Sequence, residues 1–131
     1  MIYGIGIDIV EVSRMADIIE RWGGRFVDRV FSPAEISYCE GCARPAMHYA
    51  ARFAAKESFL KSLGLGLGMG LSLKEIAVSA DQRGKPEIRL TGKGAEVLRE
   101  MGSTAVHLSL SHTRDAATAI VVLEKAGAAG V

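Results

Sequence analysis

Bulky and small positions alternate through the first residues of the chain: Tyr3, Ile5, Ile7 and Ile9 take the odd places, and Gly4, Gly6 and Asp8 the even ones. A period of two predicts a β-strand over residues 4–12 that packs its isoleucine face and leaves its glycine face open to a ligand or a second backbone. Met15, Ile18, Ile19 and Trp22 then follow helical spacing, predicting a helix capped by Ser13 and stopped at Gly23-Gly24. Ser32, Pro33 and Glu35 form a capping-box start for a second helix that fades near Gly41, and Arg44-Pro45 opens a long third helix over residues 45–63.

Glycine occupies every second position from Gly64 to Gly70. The run matches neither the Walker A nor the dinucleotide pattern, so it reads as a loop that exposes backbone beside a ligand. Residues 76–79 and 87–90 read as two strands joined at residues 81–86, with Gly84 as the turn residue. Thr91 caps a helix over residues 92–101. In residues 105–115, Val106, Leu108 and Leu110 alternate with His107, Ser109 and Ser111, which predicts a strand with one buried and one polar face. Residues 116–123 are almost wholly apolar and predict a central strand; residues 125–131 read as a frayed tail.

The chain has 131 residues, 49% of them hydrophobic, and a net charge of +1. That is enough for one domain with a real core, and it lacks the strong overall field of a nucleic-acid binder, so any basic docking patch is local. No apolar run nears the roughly 20 residues that span a bilayer, and the N-terminus lacks signal-peptide features, so a cytoplasmic protein without membrane insertion is expected. Cys39 and Cys42 form a single Cys-x-x-Cys with His48 as the only nearby further ligand type. Reduced thiols are expected rather than a zinc or redox centre.

The chemistry concentrates on two carboxylates. Asp8 is flanked by glycine on its face of the strand, and Glu57 falls in the helical arc of Ala46, Ala50, Phe53 and Leu60, with Lys61 one turn on. A carboxylate on an apolar surface needs a partner, and two carboxylates with a lysine suit Mg²⁺ and a phosphate-bearing substrate. The plainer alternatives are an edge-strand aspartate that discourages aggregation and a Glu57–Lys61 surface ion pair. Arg14 and Arg21 share a helix face, with Arg25 beyond the glycines, as a docking surface for an acidic partner or simply a solvated face. His112 ends the polar strand where an imidazole can meet a phosphate or a base; His107 is its rival, and a hydrogen-bonded turn histidine the plainer reading.

Taken together, GIGIDIVEV (residues 4–12), RFAAKESFLKSLG (residues 52–64) and LSLSH (residues 108–112), with RFVDRVFSPAE and DQRGKP, resemble the holo-acyl carrier protein synthase family, the small phosphopantetheinyl transferases. The likeness runs from residue 1 to about residue 123. It implies an α+β fold, with an antiparallel sheet packed against a long central helix and shorter helices. It also implies transfer of 4′-phosphopantetheine from coenzyme A to a serine of apo-acyl carrier protein, with Mg²⁺ as cofactor, in support of fatty acid biosynthesis. By position, Asp8 and Glu57 match the family's metal carboxylates, and Lys61 the lysine at the pyrophosphate; these three are the expected catalytic residues. Arg52, Gly64, Lys85, Pro86 and His112, with Lys61, match coenzyme A contacts, and Arg14 and Arg21 the surface that docks the carrier protein. The resemblance further implies a homotrimer with active sites between subunits. One departure is Gly64-Leu65-Gly66, where relatives often have Gly-Thr-Gly. The competing readings are a noncatalytic oligomeric module that holds an acidic protein, and a different phosphate-handling enzyme.

Overall fold

The computed structural model describes residues 1–64 and 70–126. Strand β1 (Ile2–Glu11) is followed by helices α1 (Val12–Trp22), α2 (Gly24–Val30), α3 (Pro33–Glu40) and α4 (Pro45–Ser62). A 3₁₀ turn (Leu73–Glu75) leads into β2 (Ile76–Ala80), β3 (Pro86–Leu90), α5 (Gly92–Glu100), β4 (Ser103–His112) and β5 (Ala116–Lys125). The strands form two antiparallel sheets, β1-β5-β4 and β2-β3. The apolar 116–123 run does lie centrally, between β1 and β4, and Leu108 is buried while His107, Ser109 and Ser111 face outward. Leu65 and most of the glycine run, like the end of the tail, lie outside the described residues.

The period of β1 is as expected, but its phase is reversed. Ile5, Ile7 and Ile9 are 56%, 61% and 69% exposed, and it is the glycine face that packs, against α4. A Cβ on Gly4 would stand 1.9 Å from the Ser62 carbonyl oxygen, and one on Gly6 1.8 Å from that of Ser58. Helix and strand backbones therefore touch directly, an approach that only glycine permits. Side chains complete the seam: Ser58 Oγ donates to the Ala119 carbonyl (2.9 Å), and Thr118 Oγ1 to that of Asp8 (2.7 Å).

Helix boundaries departed from expectation at the N-terminal end. Ser13 does not cap α1; Glu11 holds the cap position without a side-chain bond, and the Val12 N–H donates to the Asp115 carbonyl at 2.8 Å. Gly23 (φ 52) does end α1, as expected, yet the same residue opens α2, a helix not predicted from the sequence. The capping box of α3 is fully formed, with Glu35 N donating to Ser32 Oγ (3.2 Å) and Ser32 N to Glu35 Oε1 (2.8 Å).

Helix α4 divides the interior. Ala54, Ala55, Phe59 and Leu60 pack with Val121 and Leu123 on one side, and Tyr49 and Ala50 with Met15 and Phe31 on the other. Among the described residues no helix is long and apolar enough to cross a membrane.

Cys39 is fully buried and Cys42 half-buried, its Sγ donating to the Tyr38 carbonyl at 3.2 Å. Burial pushes the Cys39 thiol up to about 12, so it holds its proton through the neutral range. One thiol, Cys42, is expected to alkylate with iodoacetamide at pH 8 in the native protein and both in denaturant, as counted by intact mass. Rapid native labelling of both would contradict this burial.

Candidate active site

Because the Gly4–Gly6 face lies on α4, Asp8, next on that face, arrives beside the last turns of the helix. Lys61 Nζ donates to Asp8 Oδ1 at 3.0 Å and to the Ile7 carbonyl at 3.1 Å. The plainer alternative of an i,i+4 pair is not what forms: Lys61 bonds across elements to Asp8 rather than to Glu57. Glu57 is half-buried in the same cluster: burial first, then the negative charge of Asp8, raises its carboxyl above the ordinary glutamate range, and Lys61 only partly offsets this. Two acidic groups therefore act on one another in this cluster, with Lys61 bonded to one of them. Gly64 (φ +73) follows one turn beyond Lys61, with open space where a side chain would stand.

The other side of α4 looks into a cleft of about 360 Å³. Arg52, His48, Tyr38, Ser79, Pro86 and His112 line it, bringing together residues of α3, α4, the β2–β3 hairpin and the end of β4. Arg52 is a buried cation with few partners: its guanidinium lies 4.3 Å from the Tyr38 ring centroid, one nitrogen reaches the His48 carbonyl at 3.5 Å, and Nε has no partner. Ser79 Oγ is likewise buried without one. Unsatisfied buried donors around an arginine are what an anionic ligand would complete. Of the residues expected here, Arg52, Pro86 and His112 share the cleft; Lys85 is exposed beside it, its N–H donating to Asp81 Oδ1 at 2.9 Å. His107 stands apart, paired with Glu124.

Arg14 and Arg21 are both exposed on α1, interleaved with Asp17 and Glu20. The basic surface continues onto α2, where Arg25 and Arg29 rim a groove of about 680 Å³ floored by Ile18, Trp22, Phe26 and Val30.

The family model described as the 4′-phosphopantetheinyl transferase superfamily matches residues 4–121, a span that includes both carboxylates, Lys61 and the cleft. The chain belongs to this superfamily. Within it, the chain is 56% identical over 124 residues to a holo-[acyl-carrier-protein] synthase of Syntrophus aciditrophicus, covering 95% of this chain and 97% of that one. Among solved structures, the holo-[acyl-carrier-protein] synthase of Neisseria meningitidis superposes with a TM-score of 0.89 at 38% identity, over 95% of this chain and all of that one. A Helicobacter pylori synthase in complex with coenzyme A superposes with a TM-score of 0.80 at 32% identity, over 92% and 99% of the two chains.

In this phosphopantetheinyl transferase, sequence reasoning overlooked the residues that build the cleft rather than fill it. Tyr38, Ser79 and the buried Glu35–Lys56 pair were not singled out as functional; Lys56 Nζ stands 2.8 Å from Glu35 Oε1. Glu35 was legible as a capping-box residue, but the side-chain pattern of α4 offers no reason to expect a lysine at a fully buried position.

Proposed function

We propose that this protein transfers the 4′-phosphopantetheine group of coenzyme A to a serine of apo-acyl carrier protein, releasing adenosine 3′,5′-bisphosphate, in a Mg²⁺-dependent reaction. The observation that carries it is the meeting of Asp8, Glu57 and Lys61 where β1 crosses α4, on a chain of the transferase superfamily. Coenzyme A as the donor is supported by the under-satisfied Arg52 in the neighbouring cleft and by the coenzyme A complex of the Helicobacter relative.

The donor set fits Mg²⁺. Asp8 and Glu57 offer only hard oxygen atoms, and among the described residues no group of three or more acidic, histidine or cysteine side chains is placed to cage a metal. Such a sparse site suits an ion that fills its shell with water and phosphate oxygens. When bound by Asp8 and Glu57, Mg²⁺ supplies charge stabilisation at the pyrophosphate. The remaining work belongs to the chain. The serine Oγ forms a bond to phosphorus as the pyrophosphate P–O bond breaks; Glu57 orients a water that takes the serine proton, and Lys61, half exposed, stabilises the charge on the departing phosphate. Arg52 and His112, with Pro86 and Lys85 at the hairpin, hold the nucleotide portion, and Gly64 lets its backbone approach the phosphates.

The arginines of α1 and α2 form the docking surface for the acidic carrier protein, with the Trp22 groove receiving an apolar side chain between them. Reversing Arg14 and Arg21 to glutamate is expected to raise KM for the carrier about tenfold or more, with little change in kcat at saturation and a weakened salt dependence. An unchanged KM would remove these residues from the docking surface. The assembly is a homotrimer of single-domain chains. Ile5, Ile7, Ile9 and Ile120 leave an apolar sheet face without a partner in the isolated chain, and the two core clusters share Val10, Leu73 and Leu110.

Intact-mass spectrometry of apo-acyl carrier protein after incubation with this protein, coenzyme A and Mg²⁺ tests the proposal. A gain of one phosphopantetheine, lost with chelator, is expected. Carrier that binds but is never modified would favour a noncatalytic module.

A further inference from the structure

The most deeply buried charges among the described residues meet at the back of the cleft, where Glu35 forms part of the lining and Lys56, paired with it, does not. Lys56 is fully buried, and its ammonium donates to three acceptors, Glu35 Oε1 (2.8 Å), the Leu73 carbonyl (2.9 Å) and the Ile76 carbonyl (2.8 Å). That uses every hydrogen a lysine has. Glu35 is equally enclosed: Oε1 accepts from Ser32 N and Lys56, and Oε2 from Val78 N at 3.0 Å. The network therefore ties the first turn of α3, the middle of α4, the 3₁₀ turn and β2 at one point. Replacing such a pair with apolar residues seldom costs stability, so stability alone does not account for placing one here. What hydrogen bonds add is a set of fixed distances.

The elements so fixed are the walls of the cleft. Val78 precedes Ser79, whose hydroxyl lines it; Arg52 lies one helical turn before Lys56; and Leu73 is where the chain returns from the glycine run. On the opposite side of α4 the helix is held by its contact with Gly4 and Gly6, and Glu57, the residue after Lys56, belongs to the carboxylate cluster. The charges of Glu35 and Lys56 cancel, which leaves Arg52 as the cleft's unmatched cation. We infer that Glu35 and Lys56 are positioning residues for the coenzyme: they set β2 and the end of the glycine run against α4, so that the cleft meets the anion that Arg52 awaits in register with Asp8 and Glu57. The inference rests on the transfer reading above.

The test compares wild type, Lys56→Met and the double variant Lys56→Met/Glu35→Gln by thermal melting, by calorimetric titration with coenzyme A and by steady-state kinetics. The single variant strands a buried carboxylate and should melt far below wild type; the double variant carries no unpaired charge and should melt clearly above the single. Methionine donates to neither the Leu73 nor the Ile76 carbonyl, however, and the single glutamine oxygen cannot take the places of both carboxylate oxygens that accept from Ser32 N and Val78 N, so positioning stays lost. The double variant should therefore bind coenzyme A about tenfold more weakly, with KM for coenzyme A rising in step, while kcat stays within about threefold and KM for the carrier protein is unchanged. Wild-type affinity for coenzyme A in the double variant would overturn the inference. So would both KM values rising together, or a double variant that melts no higher than the single. Wild type that binds coenzyme A yet transfers nothing would count against the proposed function, and the ratio of coenzyme A affinities would still decide the role of the pair.

Discussion

Glu57→Gln is expected to lower transfer to the carrier protein by about 10²–10³-fold, the scale of losing one electrostatic element of a charge-stabilising site, while making the protein more stable. The stability half follows from the raised carboxyl of Glu57, whose ionised form is penalised by burial and by the charge of Asp8. A carboxylate whose pKa is higher folded than unfolded binds more protons in the native state, so its charge weakens the fold as pH rises through the interval between the two values. Glutamine keeps the shape and removes that charge. In chelator, the variant should thus melt above wild type at pH 7, and the gain should vanish as pH falls below the ordinary glutamate value, near 4.3. Melting curves across pH and the intact-mass assay read the two halves separately. Opposite signs would mark a group placed for chemistry at the expense of stability; full activity in Glu57→Gln would remove it from the site.

How much of this was legible before the fold was known differs residue by residue. The spacing of Tyr3, Ile5, Ile7 and Ile9 predicted a strand, and the apolar run at 116–123 its central neighbour, because side-chain period survives any packing arrangement. The face of β1 that packs was not legible: alternation gives the period, while the phase was decided by α4 lying on the glycines, a contact between residues more than fifty positions apart. Asp8 and Glu57 were legible for a related reason, since each is a charge set among the glycine or apolar positions of its own element. Their bond pattern was not, because Lys61 is as near to β1 in space as to Glu57 in sequence. The cleft residues Arg52 and Pro86 could be named only by resemblance, whereas His112 was already legible at the end of the polar strand, and α2 escaped because one glycine both ends a helix and begins another. The Glu35–Lys56 pair joins elements 21 positions apart, beyond any local pattern.

Gly6→Ala is expected to destabilise the fold by about 3 kcal/mol or more, a fall in Tm on the order of 10 °C for a domain of this size. The added methyl would lie 1.8 Å from the Ser58 carbonyl oxygen and 2.7 Å from Ser62 N. Both are backbone atoms of α4, so no side chain can rotate away; the helix itself must lift off β1. Gly41→Ala is the matched control, since at φ −80 its Cβ would meet nothing closer than 3.5 Å, and its Tm should stay near that of wild type. If Gly6→Ala melted like Gly41→Ala, the backbone contact between strand and helix would be wrong. The same lift separates Asp8 from Lys61 and Glu57, because that seam is what brings the strand's carboxylate to the helix. Whatever fraction of Gly6→Ala remains folded should therefore lose transfer out of proportion to its loss of structure, whereas a change elsewhere in the core would reduce the two together.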